Sequence, residues 1–136
     1  MLKFSLSTLE DIREINRLSN DTYPRTSVYF TAKEEDKLRS YCVLLIQEKA
    51  GELIDIQTTD KADKPLAFAM AKAAFNTLDL CGIHWITSQN KELEELLFSL
   101  GFVQKGEGYE LDLAGYFTPC TCKGKKLAAS EKKTNL

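Results

Sequence analysis

The segment from Asn90 to Phe102, NKELEELLFSLGF, constrains the fold more than any other part of this chain. Asn90 is a polar cap that opens a helix. Leu93, Leu96, Leu97 and Leu100 follow at i, i+3, i+4 and i+7, so one helix face is apolar. Gly101 supplies a left-handed stop, and Phe102 can fold back on the last turn. Just upstream, Ile83 to Thr87 reads as a strand.

Other signals punctuate the rest of the chain. Lys3 to Ser7 reads as a first strand. Thr8 and Asp11 form a capping box for a helix over about Leu9 to Ser19, with Leu9, Ile12, Ile15 and Leu18 on one face. Asn20 to Thr26, which contains Tyr23-Pro24-Arg25, reads as a loop. Ser27 to Phe30 is a short strand or part of that loop. Thr31 and Glu34 make a second capping box and predict a helix through about Arg39. Tyr41 to Ile46 is apolar and β-friendly, and Ala50-Gly51 is expected to turn a hairpin into Glu52 to Thr58. One long helix ending at Gly51 is the alternative, because Leu38, Tyr41, Cys42, Leu45 and Ile46 also fit helical spacing. Pro65 starts a helix through about Leu78. Phe102 to Lys105 and Tyr109 to Leu113 are expected as two final strands around Gly106 and Gly108. The predicted order is β-α-α-β-β-α-β-α-β-β.

A chain of 136 residues is one domain by the usual prior and long enough for a real core. That domain is expected over residues 1–115, with residues 116–136 as a flexible C-terminal segment carrying a Cys-x-Cys and several Lys. No apolar run approaches membrane-spanning length, and the N-terminus runs into a strand pattern rather than a secretion signal. The cytoplasm is therefore the expected compartment, without a membrane partner. The net charge of −2 is uneven: Lys123 to Leu136 holds five Lys against one Glu, which is +4 and leaves −6 for the rest. An acidic body argues against nucleic acid as the main ligand.

Of the four Cys, Cys42 lies in an apolar run and reads as a buried thiol. Cys81, His84, Cys120 and Cys122 are a chemically acceptable zinc set. Their spacing argues against it, because residues 81 and 84 of a continuous strand point to opposite faces. Cys120 and Cys122 are alternatively a redox pair in the tail. No metal site is expected, and no Ser-His-Asp triad, Walker loop or dinucleotide fingerprint is present.

The strand, the Asn cap and the helix closing on Leu100-Gly101-Phe102 resemble the acetyl-CoA-dependent N-acetyltransferase superfamily (GNAT). The resemblance covers roughly Leu2 to Leu113. It implies an α+β fold, a mixed sheet with helices on both faces. It also implies acetyl-CoA or another acyl-CoA as donor and a small-molecule or peptide amine as acceptor. A GNAT-fold binding or interaction module without catalysis is the alternative. The oligomeric state and the acceptor's identity are not legible in the sequence.

In this superfamily the coenzyme A pyrophosphate rests on the amides of an Arg/Gln-x-x-Gly-x-Gly/Ala turn at a helix head. That motif falls on Ala62 to Ala67, where only Ala67 matches. Ala62 stands for the Arg or Gln, Pro65 has no N–H to donate, and Asp63 adds a negative charge. Lys61 and Lys64 would have to compensate as point charges. The resemblance thus implies Gln57, Lys61, Lys64, Ala67 and Asn90 as cofactor contacts. Asp55 is implied for proton removal. The family's proton-donating Tyr falls on Leu97, so Tyr109, or Tyr116, would have to replace it. Tyr23, Arg25 and Tyr29 lie where family members shape the acceptor pocket. Plainer readings stand beside these: a solvent-facing strand position for Asp55, a helix cap for Asn90, and a helix start for Asp63 and Pro65.

Overall fold

The computed structural model describes residues 2–20 and 22–117. The elements run β1 (Leu2–Leu6), α1 (Leu9–Ser19), β2 (Val28–Glu34), β3 (Lys37–Gln47), β4 (Ala50–Thr58), α2 (Lys64–Leu80), β5 (Trp85–Ser88), a 3-10 turn (Lys91–Leu93), α3 (Glu94–Leu100), β6 (Val103–Lys105) and β7 (Gly108–Asp112). The strands form one seven-stranded sheet in the order β1-β2-β3-β4-β5-β7-β6. Every neighbouring pair is antiparallel except β4 and β5. That parallel pair needs a long crossover, which α2 supplies.

Two expectations are corrected. Thr31 and Glu34 do not open a helix; both lie within β2, between β1 and β3. The aromatic and β-branched run Val28 to Thr31 fits a pleated surface paired on both edges, and this overrides a local cap signature. The chain then reverses at Glu35 and Asp36, both with positive φ, as a two-residue hairpin turn requires. The hairpin of β3 and β4 forms as expected, but it turns at Glu48 and Lys49 rather than at Ala50-Gly51, which are already in β4.

Local chemistry explains where the helices begin. Thr8 and Asp11 form the reciprocal capping box of α1, and Asp11 also takes Lys33 of β2 at 3.2 Å. Asp63 caps α2 by accepting from the Leu66 amide, with Pro65 in the first turn. Asn90 caps the 3-10 turn that leads into α3, and Gly101 ends α3 at φ 104°.

The two sheet faces are covered unequally. On the α2/α3 face, Leu53, Met70, Phe75, Ile86, Leu97 and Leu100 form the main core. Burying each such side chain contributes roughly 1.5–3 kcal/mol. On the α1 face the cluster is smaller: Ile15, Tyr29, Tyr41 and Val43. Leu9 and Leu18 of α1 remain 64% and 50% exposed, and hollows remain between α1 and the sheet. Both hollows reach Tyr23.

Candidate functional site: a parted pair of strands

The central feature is the point where β4 and β5 separate. Their pairing covers only Ala50 to Leu53 against Trp85 to Ser88. Beyond it, β4 continues to Thr58 while the chain after β5 turns into α3. Two side chains seal the fork where ladder bonds stop. Buried Ser88 Oγ donates to the Leu53 carbonyl at 2.9 Å, and Asn90 Nδ2 donates to the Ile54 carbonyl at 3.0 Å. The Thr59 amide donates to the Arg39 carbonyl, which fixes the antiparallel alternation of β3 and β4. By that alternation Ile56 and Thr58 aim their backbone groups away from β3, toward the fork.

A β-bulge sets the side chains beside this edge. Val43 pairs with Asp55 but Leu44 pairs with Leu53, so Ile54 is an extra residue. Ile54 packs on the α1 face, and Asp55 meets Tyr23 of that same face. Tyr23 donates to Asp55 Oδ2 at 2.5 Å. Because that proton is committed, the Tyr41 hydroxyl is the donor in its 3.2 Å bond to Tyr23. Gln57 Nε2 donates to both Asp55 oxygens, at 3.1 and 3.0 Å, and Lys61 donates to Gln57 Oε1. Asp55 Oδ1 also accepts from its neighbour's amide, Ile56, at 2.9 Å and from Asn90 at 3.4 Å. Burial and the Asp55 bond hold the Tyr23 hydroxyl far above the ordinary phenol range, and burial also raises Tyr41. Both phenols are therefore neutral donors at physiological pH.

Hollows flank the end of β4. On the α2/α3 side is a groove of about 480 Å³ with Ile56, Ala67, Phe68, Leu93 and Leu96 as its apolar walls. Lys61, Lys64, Asp63, Glu92 and Glu95 also line it. Lys64 is paired with Glu95 at 3.0 Å, and both are largely exposed, so this tie is worth about 0–1 kcal/mol. On the α1 side, a cavity of about 440 Å³ shares Gln57, Thr58 and Lys61 with the groove and reaches Tyr23 and Tyr41. A further hollow of about 460 Å³ lies between Tyr23, Arg25, Tyr29 and α1.

The head of α2 faces the groove, and the chain's own acceptors hold its amides. The Asp63 amide bonds to the Asp60 carbonyl at 2.9 Å, and Ala62 bonds to Asp60 Oδ1 at 3.0 Å. Lys64 bonds to the Ala62 carbonyl at 2.9 Å. Pro65 has no N–H. Leu66 bonds to Asp63 Oδ1 at 3.1 Å and Ala67 to the Asp63 carbonyl at 3.2 Å. An anion at this helix head would have to displace a carboxylate of the protein itself.

The structure gathers Asp55, Gln57, Asn90 and Tyr23 into one hydrogen-bonded group, with Lys61, Lys64 and Ala67 along the adjoining groove. Asp55 is half-buried and bonded rather than plainly solvent-facing. Tyr29 is buried, bonds to Asn16 at 3.3 Å and stacks edge-on with Tyr23. The Arg25 side chain is exposed and makes no ion pair among the described residues. Tyr109 is not part of the group: it is buried in the α2/α3-face core and donates to Glu94 at 2.6 Å. That bond to Glu94 holds its hydroxyl above the usual range. Tyr116 bonds to the Leu100 carbonyl at 2.6 Å. Exposed His84 pairs with Asp79 at 2.6 Å; Cys81 is exposed, and burial pushes the Cys42 thiol up. Cys120, Cys122 and the Lys-rich stretch lie outside the described residues.

Sequence reasoning missed Tyr41, Asp60 and the bulge. Tyr41 hides in a run that reads simply as an apolar strand. Asp60 carried the only available signal, as an Asx residue two positions before the amide it caps.

No protein-family model matches the sequence, and no curated protein matches it. Solved structures do match in shape. A GNAT-family protein from Desulfovibrio desulfuricans superposes with a TM-score of 0.67 at 12% identity, over 83% of this chain and 99% of that one. The ribosomal-protein-S18-alanine N-acetyltransferase of Escherichia coli gives 0.63 at 14%, over 82% and 90%. The N-acetyltransferase PaiA of Thermoplasma acidophilum, in complex with coenzyme A, gives 0.62 at 12%, over 82% and 99%. Identities this low speak for architecture alone, and the architecture is clear: this chain has the α+β fold of the GNAT acetyltransferases.

Proposed function

We propose that the chain is an N-acyltransferase that takes its acyl group from a thioester of the coenzyme A type and passes it to an amine. One observation carries this reading. The free edge of β4 borders an apolar groove on one side and the Asp55 group on the other. A thioester lying in the groove and an amine entering from the Tyr23 side would meet at that strand. As the C–N bond forms and the C–S bond breaks, the nitrogen must lose a proton, and Asp55 is the carboxylate placed to take it. To do so it must release one of its present donors, of which Asn90 at 3.4 Å is the longest. Leu97 has no proton to give, so the leaving thiolate draws its proton from solvent. Asn90 would hold the fork open at the acyl end, and Tyr23, Arg25 and Tyr29 would border the acceptor. Arg25 favours an amine that also carries an acidic group.

The groove fits an acyl-pantetheine arm, which is long and mostly uncharged. The head of α2 does not fit a pyrophosphate, because its amides are already used. That second observation favours a different reading, a GNAT-fold module that binds a partner or small ligand and catalyses nothing. Calorimetry with acetyl-CoA and S-acetyl-pantetheine, followed by thiol release on adding amines, separates the two. Saturable binding with amine-dependent release is expected. Absence of binding by either thioester at millimolar concentration would leave only the module.

A further inference from the structure

We infer that this chain selects its donor by the acyl-pantetheine arm alone, and that the nucleotide half of a coenzyme A thioester adds nothing to its affinity. The inference rests on the acyltransferase reading above and names the part of the donor that is recognised.

A helix head attracts phosphate through unpaired amides and the positive end of the dipole. Here each amide from Ala62 to Ala67 either has an acceptor within the loop or, at Pro65, does not exist. Two of those acceptors are carboxylate oxygens, from Asp60 and Asp63. They satisfy the dipole as a phosphate would, and they repel one. The neighbouring cations already have partners, Lys61 at Gln57 and Lys64 in a weak exposed pair with Glu95, so they are only point charges beside the loop. Glu92 adds a further negative charge to the groove. A pyrophosphate would gain no free amide and meet a lining with more acids than bases. The apolar walls Ile56, Phe68, Leu93 and Leu96, by contrast, are indifferent to the charge at the far end of the ligand. The donor class is therefore a pantetheine thioester whatever its carrier, with coenzyme A only one of the forms that present it.

Calorimetric titration of the full chain with acetyl-CoA and with S-acetyl-pantetheine tests this. Affinities within about threefold of each other are expected. A preference of tenfold or more for acetyl-CoA would overturn the inference while leaving the acyltransferase reading standing. Failure of both to bind at millimolar concentration would overturn the acyltransferase reading, and the inference with it. A second arm uses Asp63→Gly combined with Pro65→Gly, with folding checked by circular dichroism. It frees the Leu66 amide and adds one at position 65. Acetyl-CoA should then gain at least about tenfold in affinity relative to S-acetyl-pantetheine, a gain of the size expected for one charge-assisted hydrogen bond. A folded double variant that gains nothing for acetyl-CoA would count against the occupied amides as the cause.

Discussion

The two ends of the cleft are built by opposite rules. At the fork between β4 and β5, side chains of Ser88 and Asn90 take over carbonyls that a neighbouring strand would have used, and the Ile56–Thr58 edge stays unpaired by any strand on that side. At the head of α2, Asp60 and Asp63 close the loop on itself. Both ends use short polar side chains as substitutes for backbone partners. At the fork the substitution holds a gap open beside an apolar groove; at the helix head it fills the place where an anion would bind. Under the proposed reading, the fork would be the acyl end of the cleft and the head of α2 a phosphate end satisfied from within.

The largest expected break in this comparison is Asp55→Asn. It keeps the size and removes the proposed proton acceptor, so amine-dependent thiol release should fall about 10²–10⁴-fold with little change in thioester affinity. Steady-state kinetics beside calorimetry reads the split, and equal loss in both would assign Asp55 to binding instead. Next is Asn90→Ala. It removes the cap on the Glu92 amide and strands the Ile54 carbonyl, which together should cost about 2 kcal/mol in urea denaturation. The same truncation at the other end, Asp63→Ala, removes only a cap and should cost about 1 kcal/mol. Acetyl-CoA affinity should not fall with it, since a repelling carboxylate leaves too.

The smallest effect concerns α1, which borders the hollow at Tyr23, Arg25 and Tyr29. Burial works against ionisation of Asp11, but bonds from the Thr8 amide and hydroxyl and from Lys33 prevail and hold its carboxyl below the usual aspartate range. A folded-state pKa below the unfolded one gives stability that is present at neutral pH and disappears as pH falls through the folded value. Asp11→Asn should therefore be less stable than the parent at pH 7, by less than the loss at Asp63→Ala. Thermal melts should show the two converging in acid. A gap that persists unchanged at pH 3 would place the effect in packing rather than charge.

The part of the fold that local chemistry specifies was legible. Asn90, the Leu93–Leu100 face, Gly101 and the Asp63-Pro65 start all act within a few residues, and each forms as its sequence signature requires. The second capping box failed because Thr31 and Glu34 are decided by β1 and β3, far away in sequence. In the candidate site, Asp55, Gln57, Asn90 and Tyr23 were singled out by resemblance, but their assembly depends on the extra residue at Ile54, which no residue type announces. Tyr109 carries a suitable hydroxyl, yet its place on β7 commits it to Glu94 on the α2/α3 face. The deficit of free amides at the head of α2 was visible in Ala62, Asp63 and Pro65, whereas the contribution of Asp60 emerges only from its turn geometry.

The most direct test is amide chemical-shift mapping on the 15N-labelled protein with two separate titrants, inorganic pyrophosphate and S-acetyl-pantetheine. The account predicts that S-acetyl-pantetheine moves the amides of Ile56 and Thr58 and the side-chain amide of Asn90, while pyrophosphate leaves Asp63, Lys64, Leu66 and Ala67 in place. Saturable shifts of Leu66 and Ala67 with pyrophosphate would contradict it.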